Sequence, residues 1–148
     1  MKISDRWLIA GLMIGGLPLT GCQGLARTQA DQSPAQVQHV EGSELSRVIL
    51  TEKAIQRIAL KTDQVREQQV SRRASPQKVV PYSSLIYDPH GGTWIYTSPQ
   101  PQTFVRHKVD VSYIEGGTAV LNDGPPAGTV VVSVGVAELY GTEFEVGH

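Results

Sequence analysis

The chain has 148 residues, 40% of them hydrophobic and 18% charged, with a formal net charge of -1 and a single cysteine. Such a length fits one globular domain plus tails; near-neutral charge supplies no basic surface for nucleic acid, and one cysteine excludes an internal disulfide. Glycine (15) and proline (9) point to many turns and few long helices.

At the start, Lys2 and Arg6 form a positive segment ahead of an apolar run of eleven residues, Trp7 to Leu17. A helix needs about 20 apolar residues to span a bilayer. The run is therefore too short for an ordinary span and suits the core of an export signal. Leu19-Thr20-Gly21-Cys22 follows directly. This resembles the bacterial lipobox, which implies cleavage before Cys22 and lipidation of that residue on its sulfur and its new amino group. The signal peptide is then 1–21, Cys22 is the lipidation site, and a membrane is the first partner. Each buried methylene contributes about 0.8 kcal/mol, so several acyl chains hold firmly where one holds weakly. Gln23 rather than Asp follows the cysteine. By resemblance to bacterial sorting rules this favours the outer membrane, on its periplasmic side.

Residues 22–45 are rich in Gln, Ala, Ser and Pro and sparse in apolar groups. They read as a flexible tether, because so little burial cannot offset the entropy of ordering. His39 is expected there as a solvated side chain. A folded domain is expected over 46–148. Val48-Ile49-Leu50 reads as a short strand. Thr51 is a candidate N-cap with Glu52 in the first turn, opening a short helix whose Ile55, Ile58 and Ala59 share a face. Leu60 to Val70 reads as extended, with Val65 and Val70 packing. Ser71 to Pro76 is a polar break, and Arg72-Arg73 reads as a solvated connection.

The remainder reads as strands and turns. Lys78 to Tyr87 is apolar around Pro81, which suits a strand start or an edge. Asp88-Pro89-His90-Gly91-Gly92 is a turn, Thr93 to Thr97 a strand, and Ser98 to Gln102 another turn. Thr103 to Ile114 alternates. Val105, His107, Val109, Val111 and Tyr113 are expected on the buried face, with Arg106, Lys108, Asp110 and Ser112 opposite. Glu115-Gly116-Gly117-Thr118 is a hairpin signal, and Ala119 to Leu121 the returning strand. Asn122 to Gly128 turns the chain into a buried strand, Thr129 to Val136. Ala137 to Gly141 reads as a turn of helix or an irregular close. The expected fold is mainly β: a small antiparallel barrel-like or sandwich-like domain with one short helix near its start.

Two separated blocks carry a resemblance. The first is Thr51-Glu52-Lys53-Ala54-Ile55-Gln56-Arg57-Ile58-Ala59-Leu60-Lys61-Thr62. The second runs from Val80-Pro81-Tyr82-Ser83-Ser84-Leu85-Ile86-Tyr87 through Gly92-Thr93-Trp94-Ile95-Tyr96, Phe104 to Val109 and Pro126 to Val132, ending in Val134-Gly135-Val136-Ala137-Glu138-Leu139. Together, over 48–70 and 78–140, they resemble the two ends of periplasmic adaptors. These are the membrane-fusion, HlyD-related subunits of efflux pumps of the resistance-nodulation-division class. The resemblance implies a membrane-proximal domain assembled from both blocks, on a lipid tether. Full adaptors carry a lipoyl-like domain, a helical hairpin and a β-barrel domain between such blocks. Here only Ser71 to Gln77 stands in that place, and no heptad stretch for a coiled-coil hairpin occurs. The implied partners are an inner-membrane pump of that class, a full-length adaptor, or both. The implied role is protein–protein binding in transport.

Catalytic patterns are not apparent. There is no Gly-x-Ser-x-Gly elbow, phosphate loop or His-Glu-x-x-His, Cys22 is consumed by lipid, and no enzyme activity or cofactor is expected. Both methionines lie in the signal segment, so the mature chain offers no soft Cu(I) ligands beyond Cys22. The Asp88-Pro89-His90 turn and His148 are at most weak metal ligands, and His107 reads as a structural histidine. A small periplasmic lipoprotein that captures a metal or ligand is the alternative function. Tyr82, Tyr87, Trp94, Tyr96, Phe104 and Tyr113 read as core or half-buried strand residues, and Gly91, Gly92, Gly116, Gly117 and Gly128 as turn glycines.

Overall fold

The structure, a computed structural model, describes residues 33–145. The signal segment, Cys22, the first part of the expected tether and His148 lie outside the described residues. In chain order the elements are β1 (Ala35–His39), β2 (Ser46–Leu50), α1 (Glu52–Arg57), β3 (Lys61–Gln64), β4 (Arg66–Gln68), β5 (Gln77–Pro81), β6 (Ile86–Tyr87), β7 (Thr93–Gln100), β8 (Thr103–Lys108), β9 (Asp110–Glu115), β10 (Thr118–Asp123), β11 (Val130–Val134) and α2 (Val136–Glu145). A 3-10 turn, Tyr82–Ser84, lies between β5 and β6.

The larger sheet has the order β1-β2-β8-β7-β11-β3, with β6 pairing on β7; the smaller has the order β4-β5-β10-β9. Every pairing among the described residues is antiparallel. The domain is mainly β, as the sequence pattern requires, and the sheets stay open rather than closing into a barrel.

Two apolar cores share the larger sheet. Ile95 and Val131 point to one side, where they meet Val80, Ala119 and Leu121 of the smaller sheet. Their chain neighbours Tyr96 and Val132 point to the other, where they meet Val48, Leu50 and Phe104 and the helix residues Val136 and Leu139. Consecutive strand residues face opposite sides, so a strand buried on both faces needs an unbroken apolar run. This explains Val130-Val131-Val132.

The chain changes sheets at Val65, between β3 and β4, and at Val109, between β8 and β9; both are buried. Backbone bonds pin the crossings: Val65 N–H donates to Thr129 O (2.9 Å), Gly128 N–H to Val65 O (2.7 Å), and Val109 N–H to Thr93 O (3.0 Å). Strands that switch sheets make the corners of such packings.

Local chemistry sets the ends. Thr51 Oγ1 accepts the Ala54 N–H at 3.2 Å, capping α1. The β9–β10 hairpin turns through Gly116 (φ 56°) and Gly117 (φ 77°). Positive φ at both central residues is the mirror-image turn that matches strand twist.

Several expectations are corrected. The second part of the stretch read as tether contains β1, which pairs along its whole length with β2. Ala35 and Val37 alternate with the exposed Gln36 and Gln38, a two-residue period inside a polar composition. The 103–114 stretch is not one strand: it breaks at Val109, and its halves lie in different sheets. On β8 the inward residues are Phe104 and Arg106, and His107 is exposed. Tyr82 and Tyr87 are exposed, not half-buried. The close after Val134 is a ten-residue helix.

Candidate functional site

The strongest concentration of polar groups in the interior lies where α2 crosses β7 and β8. Helix α2 turns Val136, Leu139 and Glu143 inward, spaced three and four residues apart on one face. The first two join the apolar core. Glu143, 5% exposed, meets two partners from the sheet. Tyr96 Oη donates to Glu143 Oε2 at 2.6 Å. Arg106 Nε donates to Oε2 at 2.8 Å and Oε1 at 3.0 Å.

Aromatic rings enclose the guanidinium. Arg106 Cζ lies 4.8 Å from the Trp94 ring centre, 4.9 Å from Phe144 and 6.0 Å from Tyr140. Tyr140 and Phe144, one helical turn apart, have ring centres 4.6 Å apart. A cation over aromatic faces is attracted by the ring quadrupole, more strongly when water is excluded. Burial, and then the carboxylate of Glu143, push the Tyr96 hydroxyl well above its ordinary range. It stays a protonated donor.

The 88–92 turn closes the far side of Trp94. Asp88 Oδ1 accepts the N–H groups of His90 (2.8 Å) and Gly92 (2.7 Å), and Oδ2 accepts Trp94 Nε1–H at 2.7 Å. These bonds, Trp94 first and then Gly92, hold the Asp88 carboxyl below the usual carboxylate range. Gly92 is required by close approach: a Cβ there would lie 2.5 Å from Asp88 Oδ2 and 2.8 Å from Trp94 Nε1. Of the two residues read as weak metal ligands in this turn, Asp88 is thus occupied as a turn acceptor. His90 is exposed beside it. Among the described residues no three His, Cys, Asp or Glu side chains come together as a metal cluster.

Above Arg106 an open cleft of about 520 Å³ is lined by Trp94, Tyr140 and Phe144, by Asp88 and His90 of the turn, and by Glu44 and Leu45 of the β1–β2 connection. Its described lining combines aromatic walls, carboxylates, an imidazole and a guanidinium.

Trp94, Tyr96 and Asp88 stand out in the sequence singly but not as a group, the alternation over 103–114 puts Arg106 on the polar face, and nothing local marks Glu143 as a member. The findable signal was Glu143 standing seven residues after Val136, on the Val136/Leu139 stripe. Arg72 and Arg73, read as a solvated connection, are exposed but also tie the β4–β5 loop down. Arg72 lies 5.0 Å over the Tyr113 ring, and Arg73 Nη2 donates to Ser112 Oγ (3.2 Å) and Asn122 Oδ1 (3.3 Å).

No helix among the described residues is long and apolar enough to cross a membrane. No family profile and no curated protein matches the chain by sequence. Among solved structures, it is similar to the NMR structure of a 180-residue piece of SilB from Cupriavidus metallidurans CH34, encompassing that protein's N-terminal metal-binding site and membrane-proximal domain. The identity is 22% and the TM-score 0.44; the likeness covers 53% of this chain and 42% of that one.

Proposed function

We propose that this chain is a lipid-anchored periplasmic accessory subunit of an efflux complex of the resistance-nodulation-division class, working by protein–protein binding. One observation carries the reading: the two sequence blocks that resemble adaptor ends fold into one body. Val48 and Leu50 of the first block pack with Tyr96, Phe104, Val132 and Leu139 of the second. Val65 of the first packs with Val80, Ile95 and Val131 of the second. The short connection between β4 and β5 stands where a full adaptor carries its middle domains. A membrane-proximal unit needs none of them to complete its core.

In this reading, signal segment 1–21 directs export, Cys22 carries the acyl chains, the tether runs from Cys22 to the start of β1, and the chain from β1 onward is the docking domain. The test is a mild-detergent pull-down of the lipidated chain from its own membranes, with partners identified by mass spectrometry. Recovery of an efflux pump or a full-length adaptor is expected. Recovery of neither overturns the pump assignment. Labelling by a palmitate analogue, lost in Cys22→Ala, checks the anchor separately.

A further inference from the structure

We infer that the cleft over Arg106 binds a small planar organic cation that carries a hydrogen-bond acceptor. Four features of the cleft converge on that chemistry. Its volume, about 520 Å³, lies within the range of roughly 300–1,000 Å³ found for small-molecule sites. Its charge is acidic: Asp88 and Glu44 line it and Glu143 stands directly behind the guanidinium, while Arg106 is the only Lys or Arg among the described residues of the lining. Its walls are aromatic, and Phe144 stays 42% exposed at the mouth, leaving ring surface for a flat ligand to stack on. Lastly, Arg106 is only 8% exposed, yet among the described residues only its Nε makes a hydrogen bond. Neither terminal nitrogen is fully enclosed without a partner, and the side chain borders the cleft. These terminal donors are available to an acceptor entering it.

The two demands are different and select together. The guanidinium donors ask for a carbonyl or similar oxygen. The surrounding carboxylates disfavour delivering that oxygen as an anion, and they favour a ligand whose charge is positive. The aromatic faces add cation–π attraction for the same ligand. This inference stands apart from the pump assignment, because it uses only the cleft.

The test uses the full-length chain in a mild detergent with Trp7→Phe, which leaves Trp94 as the sole indole of the two in the sequence. Trp94 emission is titrated with 1-methylnicotinamide, a pyridinium cation bearing an amide oxygen, and with benzamide and benzoate as neutral and anionic counterparts. The cation is expected to give a saturating change, with benzoate weaker by about tenfold. Phe144→Ala, at an exposed ring, should weaken the cation by about threefold or more, and Glu44→Gln at the rim should reduce the preference of cation over benzamide. Circular dichroism checks that both variants are folded. Benzoate binding as tightly as the cation overturns the inference. So does quenching by the cation that is linear and identical in Phe144→Ala, since it would be collisional. The three-probe comparison on the Trp7→Phe background needs neither cleft variant.

Discussion

Arg106 and Glu143 hold each other inside the protein, and the balance of their energetics is lopsided. Desolvating two charges offsets most of their attraction, so the intact pair adds little net stability, whereas removing one partner strands the other and costs about 3–5 kcal/mol. Glu143→Leu and Arg106→Met are each expected to lose that order of stability in urea unfolding. The double variant should lose much less than the sum, and additive losses would show that the two side chains are not energetically coupled. Asp88 makes a prediction of a different kind. Its carboxyl is held below the ordinary value of 3.8 by Trp94 and Gly92. Its contribution to stability is therefore full above that value and fades as pH falls through the lowered one. Asp88→Ala should destabilise the protein near neutrality and make little difference in strong acid, as read by unfolding midpoints at both conditions. Neither residue's role is legible from its neighbours in sequence. Asp88 announces a turn, but not that its second oxygen reaches Trp94. Arg106 looks like the polar half of an alternation.

At the scale of elements, short-range chemistry was a good guide and long-range phase was not. The Thr51 cap and the Gly116-Gly117 hairpin involve contacts within a few residues, and both form as the residues dictate. The alternation over 103–114 was assigned to the wrong face on β8 because the chain leaves one sheet for the other at Val109. A period of two fixes which residues share a face but not where the phase restarts. Residues 137–141 read only as a turn of helix or an irregular close, and glycine ordinarily weakens a helix interior. In the fold Gly141 lies inside α2, and a Cβ there would meet nothing within 4 Å. Gly141→Ala is therefore expected to stabilise the protein by about 0.5–1 kcal/mol. A thermal melt with an unchanged or lower midpoint would count against it. Once α2 is allowed its full length, Glu143 falls on the core stripe, so the error in one helix boundary also concealed the candidate site.

For the domain as a whole, the β class is readable because apolar runs and turn signals alternate from Val48 onward, whereas the joining of the two blocks into one domain is what the resemblance to adaptor ends implies. The division into two cores is not readable, since it depends on which strands pair across the sheet. The central strands β7 and β11 feed both cores with consecutive side chains, so neither core can loosen without disturbing the other. Leu139→Ala in one and Leu121→Ala in the other should each cost about 2–5 kcal/mol. Each variant should still unfold in a single transition, coincident by near- and far-ultraviolet circular dichroism; separated transitions would mean that the cores behave as independent units. The pairing of β3 with β11 has a consequence in time. Lys61–Gln64 emerges early from the ribosome, and its partner Val130–Val134 is made about seventy residues later. Until then the early strand has an open edge and the apolar residues beside it have no cover. Closure over so long a loop is slow. The early strand is therefore joined to the larger sheet only once β11 has been made, so the last steps of assembling that sheet wait on a segment far along the chain.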